Sequence, residues 1–199
     1  MLEVRALSRI GLSAVSFQLE AGECLAVRGP SGAGKSLLLR AVADLDPSEG
    51  DVLWQGRERR HFGGPEWRGI VGYLPAEPGW WGDSVGEHFR HWPLLGDLRG
   101  RLGIPDDARD WPITRPSTGE RMRLALIRAL ERKPKVLLLD EPTAALDAKS
   151  VAAVEELIAE KRRDEGLAAL WVTHDEGQGG RVASRILAVE KGHARLEGA

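Results

Sequence analysis

Eight residues, Gly29 to Ser36, limit what this chain can fold into more than any others. They read Gly-Pro-Ser-Gly-Ala-Gly-Lys-Ser and fit the spacing G-x-x-x-x-G-K-[ST]. The apolar run Cys24-Leu25-Ala26-Val27 comes before them and Leu37-Leu38-Leu39-Arg40-Ala41-Val42 after, which predicts a strand feeding the loop and a helix leaving it. Glycines let such a loop curl until successive backbone N–H groups point at one anion, and the helix N-terminus adds the positive end of its dipole. Lys35 supplies a mobile charge for the β- and γ-phosphates, and the Ser36 hydroxyl is a hard oxygen ligand suited to Mg²⁺. Gly29, Pro30, Ser31, Gly32, Ala33, Gly34, Lys35, Ser36 and Leu37 are therefore the expected nucleotide-binding stretch.

On either side of this loop the sequence alternates between strand and helix signals. Leu2 to Leu19 reads as two strands around a tight turn, and Asp51 to Gly56 as a further short strand of the same arm. The helix after the loop is expected to end near Asp46-Pro47, and Arg57 to Arg68 reads as surface loop or short helix. Gly69 to Leu74 is a buried-type strand that stops at Pro75. Between Ala76 and Arg115 no apolar period holds, yet four of the seven tryptophans fall there (Trp80, Trp81, Trp92, Trp111), which suggests a short helical subdomain. Ser117-Thr118-Gly119-Glu120 is a capping box opening an amphipathic helix to Leu130. Val136 to Leu139 is a fully apolar strand running into Asp140-Glu141. A helix follows from Asp147 to Gly166, then a strand from Ala168 to His174, and a terminal hairpin turning at Lys191-Gly192. This pattern predicts an α/β protein with a mainly parallel core sheet and an antiparallel β arm. One domain is expected over residues 1–199, with its helical subdomain at about 76–132.

Phosphoryl transfer needs charge neutralisation, a metal and an aligned water. Asp140, at the end of a buried strand, is placed to hold the metal's water shell. Glu141, the next residue, can orient or deprotonate the attacking water. His174 ends the neighbouring strand and can hydrogen-bond the γ-phosphate from the side. A net charge of −2 gives no basic surface for nucleic acid. A single cysteine, Cys24, excludes an internal disulfide and suits a reducing compartment. No stretch approaches the roughly 20 apolar residues that span a bilayer, and no signal peptide opens the chain.

The order of these pieces resembles the ATP-binding subunits of ATP-binding-cassette (ABC) transporters over nearly the whole chain. The run from Ser117 to Leu130 is the most diagnostic, being similar to the cassette signature and its helix. The resemblance implies a P-loop NTPase fold, ATP and Mg²⁺ as ligands, and ATP hydrolysis at a dimer interface. It implies that Ser117 and Gly119 complete the ATP site of a second copy, that Asp147 belongs to the interface loop, and that His174 is the switch histidine. The implied partners are that second copy and an integral-membrane permease, with the chain held on the inner face of the cell membrane through the permease. Pro134 to Asp147 and Leu170 to Asp175 are most similar to the small bacterial iron-export-type subunits.

Three features depart from that pattern. Ala76 stands where the family has a metal-sensing glutamine, so either Glu77 substitutes or turnover weakens; a nucleotide-dependent module with little hydrolysis is the alternative function. Thr118 replaces a glycine of the signature. The turn Arg9-Ile10-Gly11 lacks the aromatic residue that would stack on adenine, unless Arg9 covers the ring, so ATP and GTP should bind weakly and about equally. Trp80 and Trp81 suit a docking patch for the membrane subunit. His88 and His91 have a metal-compatible spacing but no third ligand in view.

Overall fold

The computed structural model describes residues 1–197. Its centre is a six-stranded sheet in the order β10-β9-β3-β8-β7-β6, formed by β3 (Cys24–Arg28), β6 (Val71–Leu74), β7 (Val136–Asp140), β8 (Ala168–Val172), β9 (Arg185–Glu190) and β10 (His193–Glu197). All neighbours run parallel except β10, which returns against β9 as a hairpin. The apolar runs of β7 and β8 are near-continuous because both faces are covered. Val136, Leu138, Leu170 and Val172 point into one core, whereas Leu137, Leu139, Ala169 and Trp171 point into the other.

The first core lies between this sheet and a four-stranded antiparallel sheet, β2-β1-β4-β5. That arm consists of β1 (Leu2–Arg9), β2 (Leu12–Leu19), β4 (Glu49–Trp54) and the two-residue β5 (Arg57–Glu58). Helix α1 (Lys35–Val42) is buried in it through Leu38, Leu39, Ala41 and Val42. The second core is closed by α4 (Thr118–Glu131) and α5 (Ala148–Glu165). Between β6 and α4 the chain forms three short 3₁₀ turns and one six-residue helix, α3 (Gly96–Arg101). Pieces this short cannot carry a helical period, so tryptophans anchor them instead. Trp92 and Trp111 are buried, and Trp92 Nε1 donates to the carbonyl of Asp106 at 3.2 Å while Arg99 lies over its ring at 4.8 Å.

Several boundaries differ from the sequence expectation. Helix α1 stops at Val42, not near Asp46, because Asp44 takes a left-handed conformation (φ 60°). Gly69 and Ile70 belong to the last turn of α2 (Gly64–Ile70), not to β6. Helix α6 (Glu176–Val182), three of whose seven residues are glycine, had no sequence signal; Asp175 caps it by accepting from the Gln178 amide.

Candidate functional site

The C-terminal ends of β3, β7 and β8 lie abreast, because Val172 pairs with Val27 on one side and Asp140 on the other. Loops leaving the carboxyl ends of parallel strands are where open α/β sheets bind ligands. Here they enclose a cavity of about 290 Å³, lined by Ser31 to Leu37 together with Glu141 and His174. Three strand ends that the sequence places far apart thus meet at one site.

Gly29 opens the loop with φ 152°, and a Cβ there would stand 1.9 Å from the carbonyl oxygen of Val189. Only glycine lets the loop pass that close to β9. Lys35 is buried, and its Nζ donates to the carbonyls of Gly29 and Pro30 at 2.9 Å each, which leaves one of its three donors. Burial pushes its pKa down, while the neighbouring Glu141 and Asp140 carboxylates draw it back up. Ser36 is exposed on the first turn of α1.

Asp140 is 3% exposed, and Oδ2 accepts a hydrogen bond from the Tyr73 hydroxyl at 3.1 Å. Burial, reinforced by that carboxylate, pushes the Tyr73 phenol up, so it remains a donor at neutral pH. The other carboxylate oxygen of Asp140 and the Ser36 hydroxyl are hard donors that fit Mg²⁺, an ion that keeps waters and substrate oxygens in its shell rather than needing an all-protein cage. Glu141 is left-handed (φ 51°), and its Oε1 lies 2.7 Å from His174 Nε2. A non-glycine residue held there costs about 1–3 kcal/mol and needs its surroundings to hold it.

Ser117, Gly119 and Asp147 do not line this cavity; Ser117 and Asp147 are exposed and Gly119 is half-buried. Ser117 caps α4: its Oγ accepts from the Glu120 amide at 3.3 Å, and Glu120 Oε2 accepts from the Ser117 amide at 2.8 Å. Thr118 and Gly119 amides remain at the helix start, where an anion is favoured. A Cβ on Gly119 would sit 3.0 Å from the carbonyl of Ala145, so this helix start rests on the loop leading to Asp147. Asp147 caps α5 through the Ser150 amide at 2.9 Å.

Two expectations are altered. Arg9 does not face a nucleotide base; with Arg40 it grips Asp46, whose pKa is held down to about 2 chiefly by the Arg40 hydrogen bonds. Ile10 is instead 94% exposed, on a turn whose Gly11 abuts Leu37 and Gly34 beside the phosphate loop. A branched aliphatic side chain offers a base no π-face, so Ile10→Tyr is expected to tighten ATP by about 1–3 kcal/mol, roughly five- to 150-fold. Titration with a fluorescent ATP analogue reads this; an unchanged Kd would separate Ile10 from the base. His88 is not a metal ligand: it is buried, its Nε2 accepts from the Trp81 and Gly82 amides at 2.9 and 3.0 Å, and Nδ1 lies 3.0 Å from the Ser84 carbonyl. Tyr73 and Gln178 were missed, because neither a lone tyrosine in a strand nor a glutamine among glycines carries a motif.

A phosphate loop, strand-end carboxylates and a histidine at the carboxyl edge of this sheet define a P-loop nucleotide-binding protein. Residues 12–144 match the ABC transporter family, and the chain belongs to it as an ATP-binding, ATP-hydrolysing subunit. It is 37% identical over 178 residues to the probable iron export ATP-binding protein FetA of Escherichia coli strain K12, covering 84% of this chain and 79% of that one. It is 38% identical over 186 residues to the aliphatic sulfonates import ATP-binding protein SsuB 2 of Paracoccus denitrificans strain Pd 1222, covering 89% and 71%. The fold matches a dimeric ATP-binding cassette in a post-hydrolysis state bound to ADP and Pi, with TM-score 0.80, 24% identity, and 99% and 98% of the two chains covered.

Proposed function

We propose that two copies of this subunit clasp two ATP molecules between them, each held by the Lys35 loop of one copy and the Ser117 helix of the other. The observation that carries this reading is the separation of the two half-sites: exposed Ser117 and Asp147 and half-buried Gly119 lie outside the cavity that holds Lys35, Glu141 and His174. Triphosphate charge is neutralised from one side by the loop amides and Lys35, and from the other by the amide-rich start of α4. Ser36 and Asp140 would hold Mg²⁺, which when bound would supply positive charge against the triphosphate. Glu141 accepts the proton of the water that displaces ADP from the γ-phosphorus, and His174 steadies both that carboxylate and the γ-phosphate. Hydrolysis to ADP and phosphate removes the shared anion and releases the pair.

The membrane partner is a permease that docks beside Trp81, on the inner face of the membrane. No helix among the described residues is long and apolar enough to cross a bilayer. Trp81 is 72% exposed, and Arg128 stacks on both Trp81 and Trp80 at 4.8 and 4.5 Å. The adjoining groove, about 280 Å³, is lined by Arg68, Arg90, Arg128 and Arg132 against one acid, Glu131. An exposed indole beside these cations fits an apolar segment with acidic residues. Export of a metal such as iron is the cargo we favour, supported by the similarity to FetA.

The pairing is tested by Ser117→Arg, which adds bulk and charge to the exposed half-site only. The variant is expected to bind ATP as a monomer with near-normal affinity yet lose ATP-dependent dimers and nearly all turnover. Light scattering with and without ATP reads the first and phosphate release the second. Full turnover by Ser117→Arg would end the two-sided clasp.

A further inference from the structure

Glu141 follows β7 by one residue and His174 follows the neighbouring β8 by two, on loops that diverge, one toward α5 and the other toward α6. One buried side chain ties these loops together. Gln178, 3% exposed, accepts from the Thr143 hydroxyl through Oε1 at 3.1 Å, and its Nε2 lies 3.0 Å from the same oxygen. Nε2 also donates to Glu155 Oε1 on α5 at 2.9 Å, and Arg181 holds the same carboxylate at 2.9 and 3.1 Å. Those hydrogen bonds, from Arg181 first and then Gln178, hold the Glu155 carboxyl below its ordinary pKa, so it stays an acceptor. Gln178 is fixed to the histidine loop as well, since its own amide donates to Asp175 Oδ1 at 3.1 Å and the Asp175 amide donates to Thr173 Oγ1 at 3.1 Å.

We propose that Gln178 is a positioning residue for hydrolysis, locking the Glu141 loop to the His174 loop so that their side chains face the same γ-phosphate. It stands with Thr143 and Asp175 on the wall of a cavity of about 230 Å³ that Glu141 and His174 also line. A primary amide suits the place because it offers an acceptor to a hydroxyl and a donor to a carboxylate from one plane. Glu141 needs such support: its left-handed backbone persists only where neighbours over-determine it. A purely space-filling residue would instead be apolar, since a buried amide with any bond unmade is destabilising. The inference rests on the role of Glu141 proposed above.

The test compares Mg²⁺-ATP turnover, nucleotide affinity and thermal unfolding of the full chain. Gln178→Leu is expected to lower kcat by roughly ten- to a hundredfold, the range in which misplaced catalytic groups act. KM and nucleotide affinity should hold within about threefold, because the phosphate loop is untouched. The reversed pair, Gln178→Glu with Glu155→Gln, returns an amide–carboxylate contact and should restore kcat to within about threefold of the natural chain. Should Gln178→Leu fail to fold, Thr143→Val against Thr143→Ser reads the same bond, with loss expected only for valine. Turnover unchanged in Gln178→Leu, affinity falling in step with kcat, or a reversed pair no better than leucine each overturns the proposal. Glu141→Gln measured in parallel separates the two ideas: full turnover there removes the Glu141 reading and this inference with it, whereas an inactive Glu141→Gln beside a fully active Gln178→Leu removes this inference alone.

Discussion

Glu141→Gln is expected to lower kcat by about 10²- to 10⁴-fold, the usual contribution of a positioned general base. The amide keeps the size and one acceptor of the carboxylate but cannot take a proton from water. ATP affinity should change little or rise, since the substitution removes a negative charge close to Lys35 and the phosphate loop. The clasped pair should then persist with ATP unhydrolysed, so dimers accumulate on gel filtration in Mg²⁺-ATP and disperse in ADP. His174 would keep a hydrogen-bond partner at the same 2.7 Å position, which makes the loss attributable to the proton and not to a displaced ring. A variant turning over within about fivefold of the natural chain would move the base to another residue. Equal, negligible turnover with and without Glu141 would favour the alternative that Ala76 and Thr118 suggested, a nucleotide-dependent module with little hydrolysis.

The chemistry at strand ends was legible in the sequence because each part carries its own local signal. The glycine spacing before Lys35, the apolar run before Asp140 and the capping box at Ser117 are properties of a few neighbouring residues. The structure adds what those signals cannot hold, the contacts between segments distant along the chain. Tyr73 reaches Asp140 across 67 residues, and Gln178 reaches Thr143 across 35. Arg9 illustrates the same limit in reverse. In the sequence it was the residue left to cover the base where the family's aromatic is missing, but Asp46, 37 residues on, forms a charge-assisted bond with it. The stretch from Ala76 to Arg115 resisted reading because its four tryptophans hold turns and a six-residue helix by single hydrogen bonds and cation–π contacts, none of which has a period. Helix α6 was hidden by its glycines, and it forms because its Asp175 cap and buried Gln178 fasten it to the sheet edge.

Gly29→Ala should be the most damaging small substitution in the chain. The added methyl would stand 1.9 Å from the Val189 carbonyl oxygen, a backbone atom of β9, where no flexible side chain can yield. β9 cannot retreat cheaply, since it pairs with β3 from Leu25 to Arg28 and carries β10 on its other side. The φ of 152° adds backbone strain of about 1–3 kcal/mol for any residue with a Cβ, and overpacking adds about 1–3 kcal/mol more. At roughly 2–4 °C per kcal/mol for a chain of this size, the melting temperature should fall by about 4–24 °C. The loop must open to relieve the contact, which moves the Gly29 and Pro30 carbonyls that hold Lys35 Nζ, so ATP affinity should fall by more than about tenfold. Gly32→Ala is the internal control. Its Cβ meets nothing within 4 Å, and only the strain of φ 74° remains, about 1–2 kcal/mol. Differential scanning fluorimetry and ATP titration of the two variants side by side read the difference. Equal effects at both positions would show that left-handed strain dominates and that the close approach of the loop to β9 is not what demands glycine at 29.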